Sequence, residues 1–264
     1  MRNQSIFVVL LAISIAFLAP DSSRADQREI PLDEQLRVLN IQPDNLASVR
    51  EAARTELPHV RILAIRWLAE VGENVAPYLN DPEVRVRTRV AGVLADGGDR
   101  AGYSTLLADF DRLVPKDTED SEALGIWLEE DATRNADLAD ALDIALILTR
   151  LDDPAGLSLA GQAVISGPYS AQRYRAVWVL AAGLHPDRPF EEGVRTDAQE
   201  ALRQVINRES DTLVMKRLID SVVNCGNQSA AQSLLVAARD GALDPEIRDL
   251  AGRGLRFLET EGRQ

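Results

Sequence analysis

The chain has 264 residues, of which 45% are hydrophobic, 27% charged and 5% aromatic. This composition is typical of a globular protein of one or two domains, and it excludes a disordered tail and a bundle of membrane spans. The formal net charge of −13 opposes binding to nucleic acid, which is itself a polyanion. One Cys and two His are too few for an intrachain disulfide, a Cys-rich zinc site or a multi-His metal centre. We therefore expect neither a metal nor a cofactor.

The first 25 residues have the pattern of a secretory signal. Arg2 gives a positively charged start, residues 6–19 are almost entirely apolar, and Ser23 and Ala25 are small residues that suit cleavage after Ala25. The apolar run is short for a membrane-spanning helix, which needs about 20 residues. We expect an exported mature chain, periplasmic or secreted, without a membrane span once the signal is cleaved. An uncleaved N-terminal anchor is the alternative.

From residue 26 onward the sequence predicts a succession of helices and no strand. Apolar residues return every three or four positions, and turn residues such as Gly72, Gly97-Gly98 and Gly167-Pro168 separate the helical stretches. The predicted helices are 32–39, 44–56, 60–71, 83–95, 103–113, 122–130, 137–151, 155–165, 171–182, 197–207, 212–224, 228–239 and 245–258. Short amphipathic helices bury an apolar face only by packing on their neighbours. We therefore predict an all-α fold and a single domain over residues 26–264.

One pentad of residues recurs in two distant parts of the chain. Asp81-Pro82-Glu83-Val84-Arg85 returns as Asp244-Pro245-Glu246-Ile247-Arg248. Each pentad is expected to open a helix, with Asp as the N-cap and Pro at the first helical position. The step from Val60 to Val86, two equivalent positions in successive units, is 26 residues. Units that recur in this way predict an α-solenoid of stacked antiparallel helix pairs.

These residues resemble the HEAT-repeat proteins, in the short bacterial form called PBS-lyase-like repeats. The family pattern runs Asp-Pro-x-Val-Arg, a small residue, Leu, a Gly-Asp or Gly-Asn turn, and then Ala and Leu on the return helix. Residues 58–107 follow this pattern well and residues 244–258 follow it in part, whereas residues 110–135 depart from it and are expected to form a longer or irregular connection. The resemblance implies about five or six helix pairs and a binding face made from one helix of each pair.

In such an array, Leu, Ile and Val fill the layer between helices, while Ala and Gly allow close approach. The predicted core residues are Val60, Ile65, Leu68, Val90, Leu94, Leu142, Ile144, Leu146, Val177, Leu180, Leu218, Val222, Leu250 and Leu255. The Arg of the repeat pattern, held by Arg61, Arg85 and Arg248, has two interpretations. It either bonds an Asp or a carbonyl of the neighbouring unit, or it faces a ligand.

Two groups of residues are candidates for contact with a partner. On the predicted inner helices they are Arg61, Arg85, Arg87, Trp178 and Arg217. The second group lies in residues 109–143, where 12 acids stand against three bases for a net charge of −9. Its candidates are the anchor Trp127 and the acids Asp117, Glu119, Asp120, Glu129, Glu130 and Asp131. This acidic segment is interpreted as a docking surface for a basic partner, as a weak calcium site made of clustered carboxylates, or as a solvated face that keeps an exported protein soluble. The absence of an Asp-x-Asp-x-Asp-Gly loop from the sequence disfavours calcium.

The motifs of known enzymes are missing. Neither His59 nor His185 stands in the His-Glu pair with which HEAT-type deoxyhypusine hydroxylases hold iron, and no Gly-x-Ser-x-Gly elbow or phosphate loop occurs. We therefore expect a non-catalytic scaffold that binds a protein or peptide. The alternatives are a structural subunit of an envelope assembly, which would self-associate, and an enzyme like the phycobilin lyases that share this repeat.

Overall fold

The computed structural model describes residues 30–114, 124–125, 128 and 134–261. The predicted signal, the candidate anchor Trp127 and the six candidate acids of the acidic segment lie outside these residues. All regular secondary structure in the described ranges is helical, which confirms the prediction of an all-α fold. No helix within these ranges is both long enough and apolar enough to cross a membrane.

Twelve α-helices and one 3-10 helix account for most of the described chain. They are α1 (Leu32–Val38), α2 (Leu46–Ala52), α3 (Pro58–Glu70), the 3-10 helix (Ala76–Asn80), α4 (Val84–Asp96), α5 (Tyr103–Leu113), α6 (Arg134–Arg150), α7 (Ala155–Ser166), α8 (Ser170–Gly183), α9 (Glu192–Arg208), α10 (Thr212–Val223), α11 (Gln228–Gly241) and α12 (Pro245–Glu261). Most of the predicted helices are present, with ends that move by a few residues.

The family pattern places a return helix after the turn at Gly72, whereas the segment Ala76–Asn80 forms only a short 3-10 helix. Pro82 explains where it stops. A residue before proline is driven out of the helical region, and Asp81 is extended with ψ of 140°. The next helix, α4, begins at Val84 rather than at Pro82, whereas α12 begins at Pro245 of the matching pentad.

The described helices form two compact units, divided between Val93 and Leu94 within α4. In unit 1, α3 packs against both α1 and α2. In unit 2, α6, α8, α10 and α12 contact one another in succession, and so do α7, α9 and α11. Each of these helices also packs against the one before it and the one after it in the chain. We call the first set the even row and the second set the odd row.

Four helices end with the same hydrogen bond, which gives the chain a repeat-like character. In each, a backbone N–H just after the helix donates to the carbonyl oxygen five residues earlier, at 2.8–2.9 Å. The donors and their acceptors are Ile41 and Leu36, Glu73 and Leu68, Asp99 and Leu94, and Asp153 and Leu148. The residue before each donor has a positive φ, and at Gly72 and Gly98 the lack of a Cβ makes this conformation favourable. Both glycines were predicted to end helices, and this prediction is confirmed.

Most of the predicted core is buried. The buried members are Val60, Ile65, Leu68, Val90, Leu142, Ile144, Leu146, Val177, Leu180, Leu218 and Val222. The prediction is wrong for Leu94, Leu250 and Leu255, which are partly exposed. On α12 the buried stripe runs through Ile247, Ala251 and Leu258, so the buried face lies beside the one that the two leucines occupy.

Cys225 gives a simple test of packing at the end of α10. The side chain is buried, and burial raises the pKa of its thiol. The thiolate is the reactive form, and a free thiol with a pKa of about 8.5 is partly ionised at pH 8. We expect iodoacetamide at pH 8 to alkylate the native protein much more slowly than the urea-unfolded protein. Equal rates, measured by mass spectrometry, would contradict the buried position.

Candidate binding face

An arginine at the fourth position of the helix recurs in both units. Its guanidinium donates to the backbone carbonyl six residues earlier, in the segment that leads into the helix. The pairs, at 2.5–2.9 Å, are Arg61 with Thr55, Arg87 with Asp81, Arg173 with Gly167, and Arg248 with Ala242. This bond fixes the segment that leads into the helix against the helix's first turn.

Arg61 confirms the structural interpretation of the arginine in the repeat pattern. Its Nε and Nη2 atoms bind both carboxylate oxygens of Asp81 at 2.8 and 2.7 Å. The two side chains are only 10% and 7% exposed, which leaves Arg61 unavailable to a ligand. The equivalent position in α4 belongs to Arg87, not to Arg85 as predicted, because α4 begins two residues late. Arg85 is exposed.

Two other candidates, Trp178 and Arg217, meet on the even row. The Arg217 Cζ atom lies 5.4 Å from the centre of the Trp178 ring and 4.3 Å from that of Tyr174, and its Nη2 atom also bonds the Tyr174 hydroxyl. A second guanidinium covers Trp178, since the Arg150 Cζ atom lies 5.3 Å from the same ring. We call these four residues the aromatic–arginine cluster.

The helix order explains how the cluster forms. Tyr174 and Trp178 are four residues apart on α8, which puts both rings on one face of that helix. Arg150 is the last residue of α6, and Arg217 lies on α10. Because α8 packs between α6 and α10 in the even row, guanidinium groups from two neighbouring helices reach its aromatic face.

The two arginines of the cluster differ in their surroundings. Arg217 is 2% exposed, and this burial lowers the pKa of its guanidinium. Asp220 interacts with it electrostatically from the next turn of α10, and burial raises the pKa of that carboxyl. Arginine nevertheless stays charged at neutral pH. A desolvated guanidinium over an aromatic ring contributes about 2 kcal/mol, so Arg217 holds Tyr174 and Trp178 in place.

Arg150 is more accessible. Its side chain is 36% exposed, and its Nη1 atom bonds the 66%-exposed Asp96 at 3.1 Å. The Nε atom of Arg175 on α8 bonds Asp143 of α6 at 3.0 Å, which links the same two helices. The face therefore presents a half-buried indole next to a partly exposed guanidinium.

Sequence analysis identifies Trp178 and Arg217 but misses Tyr174 and Arg150. The spacing of Tyr174 and Trp178 is a signal that could have found the first, because it places two aromatic rings on one helical face. Nothing in the sequence shows that Arg150 covers the ring of Trp178. Arg61, Arg85 and Arg87 belong to unit 1, whereas the cluster belongs to unit 2. In the part of the chain that the structure describes, no three His, Cys, Asp or Glu side chains are grouped to hold a metal ion.

Comparisons with protein-family models, with curated proteins and with solved structures find no match to this chain. The resemblance to HEAT repeats therefore stays a prediction from the sequence. The structure supports the coarser description of an all-helical chain with recurring helix ends and recurring arginine contacts.

Proposed function

We propose that the chain is a non-catalytic scaffold that binds a protein or peptide on the even-row face of an α-solenoid. The observation that carries this proposal is the aromatic–arginine cluster. Trp, Tyr and Arg are the residues that most often dominate the binding energy of protein interfaces. Here they occur together on one face of three neighbouring helices, and Trp178 is only partly buried although both arginines lie over its ring.

The cluster is suited to binding because its side chains are already ordered. Ordering a flexible side chain on binding costs about 0.5–1.5 kcal/mol. Arg217 is buried against Tyr174 and Trp178, and Arg150 is stacked on Trp178, so these groups have already lost that freedom. A partner that packs on the exposed part of the indole would gain contact area without this cost.

Three recurring features support the solenoid. The two rows of unit 2 are what stacked helix pairs produce, since each helix contacts the next and the next but one. The same end hydrogen bond closes four helices, and the fourth-position arginine recurs on four. We identify these as HEAT-like pairs on the strength of the sequence pattern. The secretory-signal pattern of residues 1–25 supports export to the periplasm or to the extracellular space.

A structural subunit is the second candidate, and an exposed apolar edge favours it. Tyr169, Leu213 and Leu243 are 58%, 69% and 64% exposed. They lie at or just before the N-terminal ends of α8, α10 and α12, which are neighbours in the even row. We call these three residues the apolar edge. Exposed apolar patches often mark contacts between proteins.

Polar bonds keep the N-terminal ends of the even row together. The bonded pairs are Gln172 with Asn135 at 3.1 Å, Arg173 with Glu209 at 2.6 Å, and Thr212 with Asp244 at 3.2 Å. Each bond joins one even-row helix to the start of the next, so the three residues of the apolar edge lie at the same end of the row. A second copy docking there would extend the protein into an assembly.

Two alanine variants on the same helix separate the two candidates. Trp178→Ala removes the centre of the cluster, and Tyr169→Ala removes an exposed aromatic ring outside it. We expect Trp178→Ala to abolish capture of a specific partner from the native cell envelope and Tyr169→Ala to retain it, measured by quantitative mass spectrometry of cross-linked complexes. Retention of every captured protein by Trp178→Ala would contradict the proposed face.

Sedimentation velocity completes the comparison. If the chain is a subunit of an assembly, the wild-type protein sediments faster as its concentration rises, and Tyr169→Ala suppresses this. A chain that stays monomeric at all concentrations would exclude self-association through the apolar edge. Circular dichroism of both variants establishes that they keep the helical content of the wild type.

A further inference from the structure

Arg150 has unused hydrogen-bond donors. A guanidinium carries five N–H donors, and within the described chain Arg150 donates only from Nη1, to Asp96. Its 36% exposure gives solvent and ligands access to the other nitrogens. The Nε and Nη2 edge of a guanidinium matches the two oxygens of a carboxylate, and such paired bonds are among the strongest in proteins.

Trp178 fixes the orientation of this donor edge. The guanidinium carbon lies 5.3 Å from the ring centre, within the range of a cation–π contact. Stacking restrains a side chain that otherwise has many rotamers, so a bound carboxylate would meet an ordered fork. An apolar group next to that carboxylate would lie over the rest of the half-buried indole.

Asp96 is an internal competitor for the same guanidinium. Its carboxylate makes one bond at 3.1 Å and is 66% exposed, and exposed ion pairs of this kind are weak. On this face Arg150, Arg175 and Arg217 stand against Asp96, Asp143 and Asp220, so the charges balance. A carboxylate is therefore attracted by the open donor edge of Arg150 rather than by a net positive charge, and the chain as a whole carries −13.

We propose that Arg150 and Trp178 form a carboxylate-recognition site, and that the scaffold takes an acidic peptide segment in which an apolar residue lies next to the bound Asp or Glu. This inference rests on the proposed function and specifies its ligand. The side-chain carboxylate is bound by the free edge of Arg150, and the apolar neighbour packs on Trp178. Asp96 bonds Nη1 and weakens the attraction of Arg150 for a second carboxylate, and it leaves the Nε and Nη2 edge open.

Fluorescence anisotropy with a defined probe tests the site. The probe is a short labelled peptide of alternating glutamate and leucine, acetylated and amidated at its ends, and its control has glutamine in place of every glutamate. We expect the wild-type protein to bind the glutamate peptide about tenfold more tightly than the glutamine peptide. Arg150→Gln should reduce this preference to about twofold or less. Arg239→Gln, which removes an exposed guanidinium from the odd row, should leave the preference unchanged.

Asp96→Asn gives a result that misfolding cannot imitate. Removing the competing charge should tighten binding of the glutamate peptide by about two- to fivefold. Equal binding of the two peptides, an unchanged preference in Arg150→Gln, weaker binding by Asp96→Asn, or no binding of either peptide would each overturn the inference. If the site binds a C-terminal carboxylate instead, a peptide with glutamine side chains and a free C-terminus would bind. That result would also overturn the inference.

The proposed function has a separate outcome. If Trp178→Ala abolishes capture of an envelope partner while neither peptide binds, the scaffold proposal stands and acidic recognition fails. If capture is insensitive to Trp178→Ala while the glutamate peptide binds through Arg150, the site exists but does not serve that partner.

Discussion

Asp81→Ala is expected to lower the free energy of unfolding of unit 1 by about 3–5 kcal/mol. The carboxylate of Asp81 binds the Arg61 guanidinium through two bonds, and both side chains are almost fully buried. Alanine leaves the Arg61 charge buried without its counter-ion, which costs much more than the loss of an exposed pair. It also removes the acceptor of the Glu83 N–H, which lies 2.9 Å from Asp81 Oδ1.

The measurement is urea denaturation followed by the fluorescence of Trp67, whose indole N–H bonds the carbonyl of Pro43 in unit 1. Phenylalanine replaces the other two tryptophans so that only this unit is observed. The matched control is Glu73→Ala, which breaks the two-bond pair of Glu73 with Arg50 at exposed positions and should cost less than about 1 kcal/mol. Equally small losses in the free energy of unfolding for Asp81→Ala and Glu73→Ala would contradict the burial of the Arg61–Asp81 pair. Adding Arg61→Met to Asp81→Ala should restore part of the stability, because no charge is then left buried.

Gly156→Ala is expected to destabilise unit 2 by about 1–3 kcal/mol through overpacking. A Cβ at Gly156 of α7 would lie 2.2 Å from the Cβ and 2.7 Å from the Cα of Ala145 on α6. These are backbone-proximal atoms that no rotamer change can move, so α6 and α7 must separate. The loss would appear as a lower midpoint in thermal denaturation followed by circular dichroism.

Gly161→Ala is the matched control, because it lies on the same helix with nothing within 4 Å of an added Cβ. Alanine favours a helix interior over glycine by about 1 kcal/mol, so this variant should be stabilised. Opposite signs for the two substitutions are the expected result. A stabilised Gly156→Ala would show that α6 and α7 do not approach as described. Combining Gly156→Ala with Ala145→Gly should recover part of the loss, since it removes the nearer of the two clashing atoms.

The helices are predictable because their signals are local. Apolar spacing and turn residues give most helix positions, and the glycines at 72 and 98 mark where α3 and α4 end. The start of α9 at Glu192 lies outside the predicted 197–207 because its first turns are polar and carry no apolar period. The 3-10 helix at Ala76–Asn80 stops before Pro82, and the repeat pattern does not predict that this segment is 3-10 rather than α-helical.

The cluster is less predictable because it depends on packing between helices. Residue type favours Trp178 and Arg217 as binding residues, but their contact requires α8 and α10 to be neighbours in a particular register. The same holds for Arg150, which reaches Trp178 from the end of α6. Periodicity identifies which face of a helix is apolar, and it does not identify the side chains that the next helix brings to that face.

The two rows of unit 2 also bear on how the chain acquires its structure. Every helix of a row meets partners that are near it in sequence, and even a bond between more distant residues, such as that of Arg150 with Asp96, spans only 54 positions. The entropy lost in closing a loop grows only slowly with its length, and contacts between residues near in sequence are associated with rapid folding. If unit 2 is the array of helix pairs proposed above, its folding can nucleate at any adjacent pair of helices and spread in either direction.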